Sequence, residues 1–577
     1  MAAACLAAAL AASACVSPPR EESVVGDYLS GRFAARVNDI DGAAEAFASA
    51  HREAPVSEEL LRDAFFFQLA AGRVEAAVSL ARELIAEPDL DDGLARTVLA
   101  ADAVKRGAYA EARTLLEEDI DVSYLSAAVA IVDAWALAGL EGPNAARALL
   151  SKPAAELSRG FNPLHEALLA EKAGEEAAAR AAFQVSVLAL GGPVARTAYG
   201  AFLERSGDEI AAREFYDLLA RDPGPDRIRA QQGVARLDAG RASQAFAGVA
   251  PSEGAAIALY SMGAAVHDQY VRQREAASRA GFRVGPVNYN LPLALVQLAL
   301  HLDPELDDAL RFTGWILNNY GEHEKALEVL GRLKRSSPYY EQAIIDRASA
   351  LTALERDEEA IALLSKAMAR NPEALEAGAA LGNLLATRER HGEAIDALNA
   401  VIARLPDEPD EDAWRYYVTR GASYLALDDW PRAEADLKRA VDIAPEEPTA
   451  LNYLGYSWAE RGLYLDEAFA LIEKAVSLRP ASGAIIDSLG WAHYQLGNYD
   501  DAVGHLEHAA SLEPADPTIT DHLGDVYWRL GRRSEARFQW RRVLELDPDE
   551  AMEAAVAEKL KSGLADPAPA AAKTHTE

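Results

Sequence analysis

Apolar positions along this chain recur at the spacing of amphipathic helices, and the helical segments come in pairs. Residues 488–514, SLGWAHYQLGNYDDAVGHLEHAASLEP, contain two apolar-striped segments, a Gly-Asn break between them and a proline at the end. Glycine favours the end of one helix, and proline stops the next because it lacks an amide hydrogen and clashes in a helix interior. The pattern predicts an all-α chain built from helix pairs.

Small residues mark the helix pairs at a fixed interval. Gly490 is followed by Ala502 after twelve residues and by Pro514 after twenty-four, and the first small residue returns at Gly524 after thirty-four. Small side chains at both positions let two helices cross closely. Fifteen registers are found, each marked by its first small residue: Gly31, Ala64, Ala100, Ala134, Ala167, Gly200, Gly233, Gly263, Gly314, Ala348, Gly382, Gly421, Gly455, Gly490 and Gly524. In one of them, Ala245 follows Gly233 and predicts a second helix there.

This period resembles the tetratricopeptide repeat, in which W-x2-L-G-x2-Y, A-x3-F and P recur every 34 residues or so. The resemblance runs from about residue 28 to residue 548. It implies a superhelical solenoid of about 14–15 helix-turn-helix repeats, whose concave surface is lined by the first helix of each repeat. We expect "DEAMEAAVAEKLK", after Pro548, to form a polar capping helix.

The predicted organisation has seven segments. In chain order they are a signal peptide (1–14), a lipidated linker (15–27), a divergent repeat array (28–262), an irregular repeat with a basic insertion (263–304), a regular repeat array (305–548), a capping helix (549–562) and a disordered tail (563–577).

The N-terminal stretch MAAACLAAALAASACVSPP is similar to a bacterial lipoprotein signal. The resemblance implies cleavage before Cys15 and acylation of that residue, which leaves the mature chain without Cys5. Val16 after the cysteine favours the outer membrane over the inner one. No basic residue precedes Arg20, which departs from the pattern and would be explained by a start assigned too far downstream. The alternative is an Ala-rich start on a cytoplasmic protein.

The net charge and the absence of catalytic motifs reduce the number of possible function classes. A formal charge of −34 disfavours nucleic acid and anionic membrane surfaces as partners. The sequence contains no H-E-x-x-H, G-x-S-x-G, P-loop or G-x-G-x-x-G motif, so we expect a non-enzymatic protein without cofactors. A metal cluster is disfavoured too, because the register places His493 in the packed part of its repeat and His505 and His508 on the outer helix.

The groove-lining positions of the resembled fold lie three residues before the first small residue and one and four residues after it. In the last three repeats, the polar and aromatic residues there are Asn452, Tyr456, Asp487, Trp491, Tyr494, Asp521, Asp525 and Trp528. Asn and Asp side chains can bond an extended peptide backbone, while aromatic faces take apolar or cationic side chains. Members that grip a C-terminal carboxylate carry Lys and Arg here, so we expect a basic or apolar segment instead. The alternative is that Trp491 and Trp528 only pack against neighbouring helices.

Residues 267–290 form the one basic segment of the chain. Its arginines are Arg272, Arg274, Arg279 and Arg283, against Asp268 and Glu275. The segment is interpreted either as a spacer or hinge between two halves or as a docking site for an acidic partner.

A closer resemblance rests on "LNYLGYSWAERG", "IIDSLGWAHYQLG" and "ITDHLGDVYWRLGRRSEARFQWRRVLELDP". These stretches are similar to bacterial tetratricopeptide lipoproteins that act as outer-membrane adaptors of periplasmic carboxy-terminal processing proteases. The resemblance implies a membrane-anchored scaffold that gathers a protease and substrates such as peptidoglycan hydrolases. Two alternatives stay open: a scaffold for envelope secretion or polysaccharide export, and a cytoplasmic scaffold.

Overall fold

The computed structural model describes residues 20–86, 92–117, 125–151, 160–189, 192–221, 224–279, 282, 287–371 and 375–565. Within these ranges the regular structure is helical. The chain divides into two compact units, Met1–Ala360 and Ile361–Glu577, and the division falls within the nineteenth helix.

The helices of the first unit are α1 (Arg20–Arg36), α2 (Ile40–Glu53), α3 (Glu58–Ala70), α4 (Val74–Ala86), α5 (Gly93–Lys105), α6 (Tyr109–Leu116), α7 (Ser126–Glu141), α8 (Pro143–Leu150), α9 (Asn162–Lys172), α10 (Glu176–Ala189), α11 (Pro193–Arg205), α12 (Glu209–Leu219), α13 (Pro225–Asp238), α14 (Pro251–Arg279), α15 (Asn290–Leu302), α16 (Asp307–Asn319), α17 (His323–Gly331) and α18 (Tyr340–Ala353), followed by α19 (Asp357–Arg370).

The helices of the second unit are α20 (Leu375–Thr387), α21 (His391–Ile402), α22 (Trp414–Ala426), α23 (Trp430–Ile443), α24 (Pro448–Glu460), α25 (Leu465–Leu478), α26 (Gly483–Gln495), α27 (Tyr499–Leu512), α28 (Pro517–Arg529), α29 (Arg533–Val543) and α30 (Glu550–Ser562). A short 3₁₀ turn, Glu411–Ala413, ends the acidic loop that precedes α22.

Local sequence explains where these helices start and stop. The Asp516 carboxylate accepts hydrogen bonds from the amides of Thr518 at 2.8 Å and Ile519 at 3.0 Å and therefore caps the N-terminus of α28. Between α26 and α27, Gly497 has a φ of +80°, a left-handed conformation that glycine adopts without steric cost. The Gly-Asn break therefore separates the two helices of that repeat.

The small residues lie where the paired helices cross. A Cβ built on Gly490 would be 2.7 Å from Cγ of Leu506 and 3.3 Å from the carbonyl oxygen of Ala502. A Cβ on Gly524 would be 2.5 Å from Nε1 of Trp540. Larger side chains at these glycines would force the helices apart, so the close crossing predicted from the sequence is confirmed.

The thirty α-helices of the described residues form fourteen pairs, with α13 and α30 left single. The helix predicted at Ala245 is wrong, because residues 240–250 form turns and irregular chain. Gly240 and Gly248 both have positive φ there, at +61° and +62°, and Pro251 then starts α14. Side chains of earlier repeats hold this loop: Glu204 accepts from the amide of Ser243 at 2.6 Å.

The bounds of the first and last helices can be compared with the predicted segments. The first helix begins at Arg20, within the segment predicted as a linker, and α30 lies inside the range predicted for the capping helix. The signal segment with Cys15 and the tail from residue 566 lie outside the described residues. No helix in the described part of the chain combines the length and apolar character that a membrane span requires.

Candidate functional site

On three helices of the first unit, the groove-lining positions are closed to solvent. On α3, α5 and α7 these positions are all buried, and they are Leu61, Phe65, Gln68, Thr97, Ala101, Val104, Ile131, Trp135 and Ala138. Surfaces this closed to solvent have no room for a partner. The inner face of these three repeats therefore serves stability rather than recognition.

The helices that cover this face are α14 and α15, which belong to the irregular repeat. Helix α14 packs on α5 and α7, and α15 packs on α3 and α5. A Cβ on Gly254 would lie 2.1 Å from Cε2 of Trp135, so α14 approaches α7 as closely as glycine allows. Lys105 Nζ of α5 lies 3.2 Å from Nδ1 of His301 on α15. The irregular repeat thus fills the inner face of α3, α5 and α7.

The inner face of the second unit is more open at α24 and α26. Asn452, Tyr456, Trp491 and Tyr494 are all partly exposed there. The Asn452 side-chain oxygen is buried and has no hydrogen-bond partner among the described residues. Burial, together with the nearby Glu460 and Asp487 carboxylates, raises the pKa of Tyr456, so its phenol keeps its proton at neutral pH.

Asp487, on α26, is paired rather than free. Both of its carboxylate oxygens lie 3.0 Å from Nδ1 of His522 on α28. Burial lowers the pKa of His522, but the Asp487 carboxylate, together with Asp521 and Asp525, raises it, and the net shift is upward. The His522 ring stacks on Trp491 at 3.9 Å, and Trp491 stacks on Tyr494 at 4.5 Å. The result is a three-ring stack anchored by one carboxylate.

Asp521 and Asp525, on α28, are held by the capping helix. Lys559 Nζ of α30 donates to Asp521 at 2.7 Å and to Asp525 at 2.8 Å. Asp525 also accepts from Nε1 of Trp540 at 2.9 Å. Burial and the neighbouring Asp521 raise the pKa of Asp525, while Lys559 opposes this rise. These two acids are therefore engaged within the chain.

Trp528, the last predicted groove residue, is covered by the same end of the chain. A Cβ on Gly563 would lie 1.9 Å from Cζ2 of Trp528, and the indole centroid is 5.3 Å from that of Trp540. Arg533 and Arg537 lie over the Trp528 ring at 5.2 and 5.7 Å. These contacts match the alternative that Trp528 packs within the fold.

Three stretches of the second half match the family model of the tetratricopeptide repeat, at residues 345–409, 418–484 and 488–551. These stretches consist of tetratricopeptide repeats. Helix pairs with the same small-residue crossings extend through the rest of the described chain, and the predicted fold class, an all-α tetratricopeptide-repeat solenoid, is confirmed.

One curated relative is TPR repeat-containing protein PA4667 of Pseudomonas aeruginosa, which is 39% identical over 84 residues, or 15% of this chain and 14% of that protein. The chain thus spans a small part of the relative's length. Among solved structures, the APC/C hetero-tetramer Cut9-Hcn1 is similar at 17% identity over 88% of this chain and 97% of that one, with a TM-score of 0.38. A tetratricopeptide repeat protein from Parabacteroides merdae is similar at 15% identity over 44% and 96%, with a TM-score of 0.36.

The basic segment, residues 267–290, begins within α14 and includes the last turns of that helix. Arg272, Arg274 and Arg279 are exposed on its last turns, while Arg283 lies outside the described residues. Arg279 donates to Glu275 at 3.0 Å. The neighbouring Phe282 side chain is 70% exposed. The two interpretations of this segment, spacer and docking site, both remain predictions.

The histidines of the last tetratricopeptide repeats stack instead of converging on a point. The His493 and His505 rings are parallel at 5.3 Å, and His493 also meets Phe469 edge-on at 4.6 Å. Burial and the neighbouring His505 lower the pKa of His493. Within the described ranges, no group of three or more His, Cys, Asp or Glu side chains is placed to hold a metal ion.

Two residues that shape this site were missed as groove residues from the sequence. Lys559 was assigned only to a polar cap, although its position in α30 lets it reach both acids of α28. His522 was not assigned to the groove either, although it directly follows the groove-lining Asp521. A search for opposite charges one repeat apart would have found the pairing of His522 with Asp487.

Proposed function

We propose that this chain is a lipid-anchored periplasmic adaptor that holds partner proteins on the inner face of α24 and α26. The proposal rests on the partly exposed aromatic surface formed by Tyr456, Trp491 and Tyr494. This surface lies beside the side-chain oxygen of Asn452, which has no partner among the described residues. Exposed aromatic side chains on a rigid helical wall are frequent energetic centres of protein interfaces. A peptide amide would satisfy the Asn452 oxygen, which otherwise costs free energy by its burial.

The partner segment is expected to be extended and to carry apolar or basic side chains. The partly exposed rings of Tyr456, Trp491 and Tyr494 offer aromatic surface, which attracts both kinds of side chain. Asp487, Asp521 and Asp525 already have cationic partners, so they set the local shape and charge instead of gripping the peptide directly. The partners proposed are a periplasmic carboxy-terminal processing protease and its cell-wall hydrolase substrates. Bringing both to one surface raises their effective concentration without new chemistry.

Membrane attachment is proposed through Cys15, and the first helix supports it. Helix α1 starts at Arg20, close behind that cysteine, and carries an exposed apolar stripe flanked by the exposed Arg32 and Arg36. The stripe consists of Val25, Leu29 and Phe33, which are 58%, 59% and 68% exposed, and it continues with Val37, 51% exposed, directly after the helix. Apolar residues on one face with flanking arginines suit the interface of a bilayer, where one acyl signal alone binds weakly.

Mass spectrometry of the mature protein tests the anchor. We expect an N-terminal Cys15 that carries acyl chains, and a Cys15→Ala variant that leaves the membrane fraction. An unprocessed, unmodified N-terminus would contradict the periplasmic proposal and leave the cytoplasmic scaffold as the better account.

Co-purification in mild detergent tests the binding surface. Trp491→Ala combined with Tyr494→Ala should weaken partner capture by roughly tenfold or more, as loss of central aromatic contacts does. Phe538→Ala is the matched control, since its ring is 58% exposed on α29, a second helix of its pair. Equal capture by both variants would refute the groove. Recovery of a channel in place of a protease would favour an export scaffold.

A further inference from the structure

A cavity of about 510 Å³ in the second unit is lined by residues of α19, α20 and α21. Its lining residues from α20 are Leu381 and Leu385, whereas the groove-lining positions of that helix are Ala379, Asn383 and Ala386. The cavity is therefore separate from the inner face that the proposed function uses. Its volume falls in the range of sites that take up a ligand or a few side chains of a partner.

The floor of the cavity is apolar. Leu381, Leu385 and Ala397 are buried there, and α19 adds Ile361 and Met368. Met368 is partly exposed, and its unbranched side chain can adapt to ligands of different shape. Apolar side chains of a partner would gain free energy here by leaving water.

The matching site one repeat later shows why this cavity is open. There Asn399 and Asp436 occupy the register positions of Ser365 and Ala397. Arg420 bridges them, because it donates to the Asn399 side chain at 2.7 Å and to both carboxylate oxygens of Asp436 at 2.7 Å. Polar side chains thus fill the later site, whereas a serine and an alanine leave the earlier one open.

The charged side chains that line the cavity lie on α21 or directly after it. Glu393 is engaged by Arg390, which donates to it at 2.7 Å, while Asp396 has no hydrogen bond or ion pair within the described ranges. Arg404 donates to the carbonyl oxygen of Ala400, one turn earlier, at 2.6 Å and has no carboxylate partner in the described part of the chain. The separation of Asp396 and Arg404 in sequence corresponds to about 12 Å at the rise of an α-helix. The rim therefore offers a free acid at one end and a base at the other.

We infer that this cavity binds an amphipathic helix of a partner protein, with apolar side chains on one face, a basic residue for Asp396 and an acidic residue for Arg404. The charges of the rim are complementary to such a helix, and the floor takes its apolar side chains. The walls are helices whose backbone groups bond within the helix, so they offer none to an extended chain. A helical ligand satisfies its own backbone and needs only an apolar groove. A partner held here leaves the inner face free for another.

Calorimetry with the full chain at physiological salt tests this site with two synthetic helical peptides. The first carries leucines on one face and, beside them, a lysine and a glutamate separated by the same number of residues as Asp396 and Arg404. The second has glutamate in place of that lysine. The first peptide should bind, and the second should bind about tenfold more weakly or not at all, because Asp396 repels its added carboxylate.

Two variants test the cavity itself. Ser365→Lys places there the residue that α23 carries in the same register, Lys438, and should weaken binding of the first peptide about tenfold. Asp396→Lys should exchange the preference, so that the second peptide binds more tightly than the first. Asp442→Lys, at an exposed position of α23, makes the same change of charge away from the cavity and should leave both affinities unchanged.

Thermal unfolding checks that each variant is folded, and Asp396→Lys, at an exposed position, gives an independent test if Ser365→Lys is not. The inference is overturned if neither peptide binds, if both bind equally, or if Asp396→Lys keeps the preference of the unaltered chain. Sedimentation of the chain alone addresses another occupant: a dimer that Ser365→Lys dissociates would assign the cavity to a second copy and would overturn the inference too. Trp491→Ala should leave peptide binding unchanged, so this site and the inner face can fail their tests independently.

Discussion

The indole of Trp491 lies parallel to the imidazole of His522, with ring centroids 3.9 Å apart and 14° between the planes. The same imidazole lies 3.0 Å from both oxygens of Asp487. One histidine of α28 therefore fixes both an acid and an aromatic residue of the neighbouring repeat. The open surface at α24 and α26 depends on this contact for its rigidity.

The pairing of His522 with Asp487 predicts a pH dependence of stability. The pKa of His522 is raised in the folded chain, so its stabilising effect is complete below the ordinary imidazole pKa of about 6.5 and is lost as pH rises through the folded pKa. Each unit of upward shift corresponds to about 1.4 kcal/mol. The stability difference between the unaltered chain and His522→Gln should therefore shrink from pH 6 to alkaline pH. Urea unfolding measures it, and a constant or growing difference would contradict the assignment.

The crossing of α26 and α27 predicts opposite effects at two glycines. Gly490→Ala should destabilise the second unit by about 1–3 kcal/mol, because the added Cβ meets Leu506 at 2.7 Å. Gly504→Ala, at an open position within α27, should stabilise it by about 0.5–1 kcal/mol, because alanine loses less backbone entropy on folding. Urea unfolding followed by far-ultraviolet circular dichroism compares the two. Similar effects at both positions would show that the crossing tolerates larger residues.

The ion pairs of Lys559 with Asp521 and Asp525 predict that this lysine holds the capping helix in place. Lys559→Met leaves Asp521 and Asp525 without their cation and should destabilise the second unit by about 3 kcal/mol, the lower end for breaking a buried ion pair. Lys561→Met, whose side chain is 75% exposed, is the control. Adding Asp521→Asn and Asp525→Asn to Lys559→Met should restore most of the loss. A Lys559 variant as stable as the Lys561 variant would mean that α30 is held by its apolar contacts alone.

The contact of Gly254 with Trp135 predicts that α14 helps to close the inner face of α3, α5 and α7. Gly254→Ala should displace α14 and cost about 1–3 kcal/mol, because the new Cβ would lie 2.1 Å from the indole. Hydrogen exchange should then quicken in α3, α5 and α7. Gly26→Ala in α1 meets no atom within 4 Å and should leave exchange in these helices unaltered. Unchanged protection in Gly254→Ala would argue that the face is not sealed by α14.

The sequence predicted the repeated part of this fold well, because the information lies within each unit. Gly490 and Ala502 encode one helix crossing, and Asp516 encodes one cap, each within a few turns of its partner. Where these local signals were weak the prediction failed. Ala245 has the right spacing from Gly233, but the two glycines with positive φ around it and Pro251 prevent a second helix.

Contacts between distant residues were the part that the sequence could not supply. Trp135 and Gly254 are far apart in the chain, and nothing in the repeat register says that α14 will cover α7. The register did locate Asp521 and Asp525 on the inner face, but it could not show that Lys559 already binds them. Inner-face position is a property of one repeat, whereas exposure depends on what the rest of the chain places there.

Site-specific photocrosslinking tests the central claim most directly, namely that partners bind the inner face of the second unit at α24 and α26. A photoreactive phenylalanine analogue replaces Tyr456 in one strain and His508, exposed on the second helix α27, in another. The account predicts a discrete crosslinked partner at position 456 and none at position 508. Crosslinks at position 508 alone would contradict it.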